Sequence, residues 1–324
     1  MQLNDFPLDN PMALSKAGSW PAAAHQGKAR DFKAVVAAWH VGRPLLVRGE
    51  AGVGKSQLAH AVAHALQWQF VSINTQPQTD YSDLLWEFDA VARLATAQLL
   101  GAAGAGGSAT ALPPELAHER FLRPGPLWWA YRPGSAATLC TKAGTDTCPY
   151  LYPRNDKQRD AGLVLLIDEI DKADSRLPNG LLEILGNGDF TLPNDIDGQD
   201  EMPRKPLVLI TSNNERQLPV AFMRRCLVLD MTLPEDDGLI DYLTSIGDAN
   251  AKRKIGNASQ VKKPVRRKAA EAIVNLRQQQ SPAHKPPGVA EYLDLLNALG
   301  GIEFADGPDA AITELSELVL EKSL

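Results

Sequence analysis

Cysteine is scarce in this chain of 324 residues: Cys140, Cys148 and Cys226 are an odd set with no CxxC spacing. That excludes a disulfide framework, argues against a zinc site, and reads as three free thiols in a reducing compartment. An excess of positive charge is missing too. Lys+Arg 33 against Asp+Glu 39 gives −6, with a pI near 5.6, which is no global footprint for nucleic acid or an anionic membrane. Met1-Gln2-Leu3-Asn4-Asp5 has neither the basic start nor the apolar centre of a secretory signal. The one uncharged stretch long enough to cross a bilayer, Ala95 to Pro114, is broken by Gly101, Gly104, Gly106 and Gly107 among alanines, and is too weakly apolar to do so. A cytoplasmic, soluble protein without membrane contact is expected. No fixed-period repeat is visible. What remains is ordinary globular usage, 44% hydrophobic and 22% charged, with enough chain for about two domains.

Phe32, Val35, Val36 and Trp39 fall at helical spacing before Gly42, which predicts a helix from about 29 to 42. Pro44 to Arg48 predicts a short apolar strand, Gly49 to Gly54 a turn, and Lys55 to about Trp68 a second helix through Leu58, Ala61, Val62 and Leu66. Further strands are expected at Phe70 to Ile73, Leu163 to Ile167, Leu207 to Ile210 and Leu227 to Met231. Runs this continuous are buried on both faces, as in a parallel sheet. From Glu235 onward the apolar residues take helical spacing. The fold class is therefore α/β, a parallel-sheet core followed by a smaller all-helical C-terminal domain. The expected division is an N-terminal arm (1–28), an α/β domain (29–232) and the helical domain (233–324). Between the second and third strands lies more chain than one crossover needs, read as an insertion at about 81–122 and an extra surface loop at about 137–160.

Gly49-Glu50-Ala51-Gly52-Val53-Gly54-Lys55-Ser56 matches GxxxxGK[ST], after a predicted strand and opening a predicted helix. In such a loop the backbone N–H groups and the helix N-terminus hold phosphate oxygens, Lys55 reaches the β and γ oxygens, and Ser56 ligands Mg²⁺. Gln57 follows as a further nucleotide contact. ATP and Mg²⁺ are the expected cofactors. The strand from Leu163 ends in Asp168-Glu169, two carboxylates at the sheet edge where ligands bind. Asp168 is read as the second metal residue and Glu169 as the base or orienter of the attacking water, which a hydrolase needs and a simple phosphotransferase does not. The strand from Leu207 ends in Thr211-Ser212-Asn213-Asn214, placing Asn213 to bond the water or the γ-phosphate, although asparagine at a strand end is also common turn chemistry. Arg224-Arg225 follow Leu218-Pro219, and a guanidinium suits phosphoryl-transfer charge.

Phosphate loop, acid-ended strand, Asn-ended strand and arginine stand in the order found in AAA+ ATPases. Over roughly residues 27–300 the chain resembles their MoxR branch, through Pro124-Gly125-Pro126-Leu127, Asp168-Glu169-Ile170-Asp171-Lys172-Ala173, Asn179-Gly180-Leu181-Leu182-Glu183 and Leu218-Pro219-Val220-Ala221 running into Arg225. The resemblance implies that Asn213 is the sensor-1 residue. It likewise implies that Arg225 is an arginine finger completing a neighbour's site in a ring of six, and that the 81–122 insertion faces substrate. It further implies chaperone-like remodelling of a protein client, often with a von Willebrand A domain partner. The family usually carries a sensor-2 arginine in the lid. Between Pro282 and Tyr292 only His284 and Lys285 are basic, so Lys285 is the candidate cofactor contact there.

Other features have plainer readings. Residues 251–270 carry eight Lys/Arg and no acid, a grip for a phosphate backbone or, more commonly, a solvated helix face or a dock for an acidic partner. The run lacks the interleaved aromatics that stack bases. Trp86, Phe88, Trp128 and Trp129 would suit either a grip on an extended polypeptide or core packing. His60 and His64 are spaced i, i+4, but Ala61 stands where a zinc protease needs glutamate. Two rivals stay open: a nucleic-acid-stimulated motor, less favoured, and a P-loop phosphotransferase, against which Glu169 argues.

Overall fold

The computed structural model describes residues 1–7, 12–14, 23–102, 113–143, 161–193, 196, 204–279, 286–301 and 307–319. Two short strands, β1 (Met12–Leu14) and β2 (Ala23–His25), pair antiparallel within the expected N-terminal arm. Helix α1 (Ala29–Val41) starts where the Asp31 carboxylate accepts the Lys28 N–H and stops at Gly42 in the left-handed conformation. Strand β3 (Leu45–Arg48), helix α2 (Lys55–Leu66) and strand β4 (Gln69–Asn74) follow. Next come α3 (Tyr81–Leu85), β5 (Trp86–Phe88), α4 (Ala90–Ala102), β6 (Leu122–Pro124), α5 (Pro126–Tyr131) and α6 (Pro133–Lys142). The chain then returns through β7 (Leu163–Asp168), α7 (Arg176–Asn187), β8 (Leu207–Ser212), α8 (Val220–Met223) and β9 (Leu227–Asp230). Four helices complete it: α9 (Asp236–Lys252), α10 (Lys263–Gln279), α11 (Val289–Gly301) and α12 (Gly307–Val319).

β4, β7, β8, β3 and β9 form, in that order, one parallel five-stranded sheet. Successive side chains of a strand face opposite sides, and the sheet splits accordingly. Leu163, Leu165 and Ile167 pack with Val71, Ile73, Trp128 and Leu181, whereas Val164 and Leu166 pack with Phe32, Leu58, Val62 and Phe70 of the α1–α2 face. This is why the strands read as unbroken apolar runs. A third core, with Leu239, Leu243, Ile273, Tyr292 and Leu296, belongs to the C-terminal helices, and Leu233 touches both this core and the sheet's.

Some expectations change. Within 81–122, β5 pairs antiparallel with β6, and α4 rises between them with Val91, Leu94 and Leu99 exposed. The expected loop at 137–160 begins instead as helix: α6 runs through Lys142, opened by Pro133, with Ala136, Leu139 and Cys140 buried at i, i+3, i+4 spacing. The rest of that loop, with Cys148, lies outside the described residues. Trp128 and Trp129 are buried, Trp128 donating to the Ser135 hydroxyl at 2.9 Å, and Trp86 and Phe88 pack on the same core. Trp128 and Trp129 therefore belong to the core, and Trp86 and Phe88 pack against it. Half of the basic run is ion-paired inside the chain: Lys263 and Arg266 pair with Asp248, Arg267 with Asp241 and Glu271, and Lys268 with Asp309. Among the described residues no helix is long and apolar enough to cross a membrane.

Candidate active site

The C-terminal ends of β3, β7 and β8 meet at one place. Leaving β3, the chain turns through Gly49, whose φ is 153°, and a Cβ there would stand 2.3 Å from the Met231 carbonyl oxygen. Only glycine lets the loop pass so close to the end of β9. Gly54, with φ 93°, then caps α2, so Lys55 and Ser56 open the helix. Lys55 is buried, and its ammonium donates to the carbonyls of Gly49 at 2.9 Å and Glu50 at 2.7 Å. Burial pulls its pKa below the ordinary lysine value, opposed by Asp168, Asp171, Glu169 and Glu50.

Ser56 donates to Asp168 Oδ1 at 2.6 Å, and the Thr211 hydroxyl bonds the same oxygen. Glu169 stands in the left-handed region at φ 56°, its N–H donating to Thr211 Oγ1 and its carbonyl 2.6 Å from the Thr75 hydroxyl. Its carboxylate accepts from Asn213 Nδ2 at 3.3 Å and from Lys172 Nζ at 2.6 Å. Buried Asp171 accepts the N–H groups of Asn213 and Glu215, which fixes the turn that carries Asn213. A cleft of about 240 Å³ is lined by Ala51, Gly54, Lys55, Ser56, Glu169 and Asn213 on one side, and by Val289, Ala290 and Leu293 of α11 on the other. Gly52 and Gln57 line it too, whereas Val53 is part of the core beneath.

The helical region touches the Gly49–Ser56 loop directly. The Val289 N–H donates to the Gly52 carbonyl at 3.2 Å. Arg277 of α10 donates to the Glu50 carboxylate at 3.0 Å and to the Pro287 carbonyl at 2.7 Å. A second cleft of about 560 Å³, with Gly49, Glu50, Asn213, Leu239 and Arg277 in its walls, lies between loop and helices. Tyr242 of α9 donates to the Gln26 carbonyl, and Lys28 to that of Thr232.

Lys55, Ser56, Asp168, Glu169 and Asn213 thus come together. Arg225 does not join them: it is exposed, its Nε 3.6 Å from where a Cβ on Gly186 would sit. Its neighbour Arg224 lines a separate pocket with Arg48 and Arg216. Lys285 lies outside the described residues. The sequence alone assigns no role to Thr211, Asp171, Thr75, Lys172 and Arg277. Thr211 was within reach, two residues before Asn213 on the same strand, but Arg277 carries no local signal.

This arrangement, a glycine-rich loop opening a helix beside an acid-ended strand, fits phosphate chemistry. Residues 44–226, more than half of the chain, match the family described as AAA domain (dynein-related subfamily). The chain belongs to that family. A midasin from Giardia intestinalis is similar to this chain at 45% identity over 84 residues, which is 26% of this chain and 1% of that protein's length. Two structures of RuvB from Thermotoga maritima, one a point mutant and one described as a Holliday junction branch migration motor, align at 15% identity. They cover 90% and 89% of this chain and 68% and 67% of theirs, at TM-scores of 0.43 and 0.42.

Proposed function

We propose that the chain hydrolyses ATP with Mg²⁺ and uses the cycle to remodel a protein partner in the manner of MoxR-like AAA+ ATPases. The observation that carries the reading is the convergence of three strand ends, with Ser56 2.6 Å from Asp168 and Asn213 3.3 Å from Glu169. The hydroxyl and carboxylate of that first pair are the hard oxygen donors that Mg²⁺ takes. When bound, the ion neutralises charge on the β- and γ-phosphate oxygens. The loop amides from Gly49 to Ser56 bind the phosphates, and Lys55 exchanges its two loop carbonyls for phosphate oxygens. Glu169 takes a proton from the attacking water as that oxygen bonds to the γ-phosphorus and the bridging P–O bond breaks, releasing ADP and phosphate. Asn213 orients the water.

In this reading residues 29–232 bind nucleotide, 233–324 form the lid and 1–28 an arm. Arg225, exposed and not among the residues that line its own cleft, acts in a neighbour's site within a ring. The helix α4, with its exposed apolar residues, belongs to the segment that meets the client. The ion pairs of Lys263, Arg266, Arg267 and Lys268 favour a protein client over nucleic acid. The test is Mg²⁺-dependent phosphate release by the full chain beside Lys55→Ala and Glu169→Gln. Lys55→Ala loses ATP binding, and Glu169→Gln keeps binding but turns over about 10² to 10⁴ times more slowly. Wild-type turnover no higher than that of Lys55→Ala removes the reading.

A further inference from the structure

We propose that the corner between α9 and α10 is a docking surface for an acidic segment of a partner protein, gripped by Lys252, Arg253, Lys254 and Lys262. This surface stands outside both clefts at the Gly49–Ser56 loop, and it is independent of the ATPase reading. Asp248 of α9 anchors the corner by pairing with Arg266 and Lys263 of α10. Lys252 stands one helical turn beyond Asp248, on the same side of α9, so the end of α9 and the start of α10 present their cations together. All four are exposed. Among the described residues they have no carboxylate partner, whereas Lys263, Arg266, Arg267 and Lys268 do.

Helix ends account for only part of this charge. Lys252 and Arg253 close α9, where cations suit the carbonyl end of the helix dipole. Lys262 does the opposite: its carbonyl accepts the Val265 and Arg266 N–H groups that open α10, and the first turn there holds no acid. The amino end of a helix favours anions, so Lys262 adds to a positive field instead of cancelling a negative one. Lys254 is equally out of place. The Ile255 N–H reaches the Asn250 carbonyl at 3.0 Å and the Lys254 N–H the Ala251 carbonyl at 3.1 Å, the paired bonds of a helix stop whose left-handed residue is ordinarily glycine. Lys254 fills that position at φ 54°, and its charge is what glycine would not supply. The backbone of the corner is fixed as well. The Ala258 N–H donates to Asn297 Oδ1 at 3.2 Å, and Asp248 holds Arg266 at 2.8 Å. A surface ordered in advance loses less freedom on binding.

The surroundings select the partner. Residues 251–270 contain no aromatic ring on which a base could stack. Asp241, Glu271 and Asp309 lie along α9, α10 and α12 beside the patch, and a phosphate backbone longer than the patch would run onto those acids. A short run of aspartate or glutamate matches the unpaired cations and ends before them.

The test is fluorescence anisotropy of a labelled oligoglutamate peptide with the full chain, in the absence of nucleotide, beside a labelled single-stranded oligonucleotide of equal charge. The wild type is expected to bind the peptide saturably, more tightly than the oligonucleotide, and more weakly as salt rises. Arg253→Gln combined with Lys262→Gln weakens peptide binding about tenfold or more, with the melting temperature unchanged. Arg43→Gln combined with Lys205→Gln, which removes two exposed cations elsewhere, changes it less than about twofold. Lys254→Gly keeps or raises the melting temperature and still weakens binding about two- to fivefold. The proposal is overturned by a peptide that does not bind saturably, or by an equal loss in the Arg43 and Lys205 double variant. Tighter binding of the oligonucleotide, or a Lys254→Gly chain that binds like wild type, overturns it too.

Discussion

A methyl group added at Gly49 would meet the Met231 carbonyl oxygen at 2.3 Å, on a residue whose φ is 153°. Neither β9 nor the loop can yield without losing the Met231 N–H bond to the Arg48 carbonyl. Gly49→Ala is therefore expected to cost at least about 2 kcal/mol, read as a shift in urea midpoint, and to weaken ATP binding. His25 is wholly enclosed beside Gly54, and among the described residues its Nε2 has no hydrogen-bond partner. Burial first, and His60 second, push its pKa down to about 4; burial and then His64 do the same to His60. Between pH 6.5 and about 4 the unfolded chain thus binds more protons than the folded one, so stability falls as pH falls through that window. The loss approaches about 3 kcal/mol for each histidine. Urea midpoints at pH 7, 5.5 and 4.5 should decline, and His25→Gln should flatten the decline.

Helix α5 and helix α10 show how one element can serve packing and another the site. Trp128 on α5 is fully buried and bonded to Ser135, so Trp128→Ala is expected to cost about 3 to 5 kcal/mol. A polypeptide grip would instead leave the melting temperature unchanged and lower client-stimulated turnover. Arg277 behaves in the opposite way. Its pair with Glu50 joins side chains that are 20% and 54% exposed, and contributes less than about 1 kcal/mol to stability. Arg277→Ala should therefore keep the melting temperature while raising KM for ATP several-fold, because it frees the helices from the phosphate loop. Unchanged nucleotide affinity would sever that link.

A ring makes its own demands. If Arg225 completes a neighbour's site, Arg225→Ala lowers turnover by about 10³ or more, and ATPase activity per chain rises with protein concentration as subunits associate. Mixing Lys55→Ala with Arg225→Ala subunits should restore part of the activity, since some sites would then combine an intact loop with an intact arginine. No recovery in verified mixed assemblies would confine Arg225 to its own chain. Arg224, in the pocket with Arg48 and Arg216, is the informative second variant there.

Contiguous signals were the legible ones. The loop from Gly49 to Ser56, the apolar runs ending in Asp168 and Ser212, and the helical spacing after Glu235 each need only neighbours in the chain, because period and backbone freedom are local properties. The mixed signals misled where burial decides. Thr138 to Lys142 read as loop until Leu139 and Cys140 found a core to cover, and the tryptophans were ambiguous for the same reason. Ser56 meets Asp168 across 112 residues of chain, and Arg277 meets Glu50 across 227. Pairings of that reach carry no local pattern; they exist only because two faces of one parallel sheet and a packed set of helices bring the strand ends and the phosphate loop to a common edge.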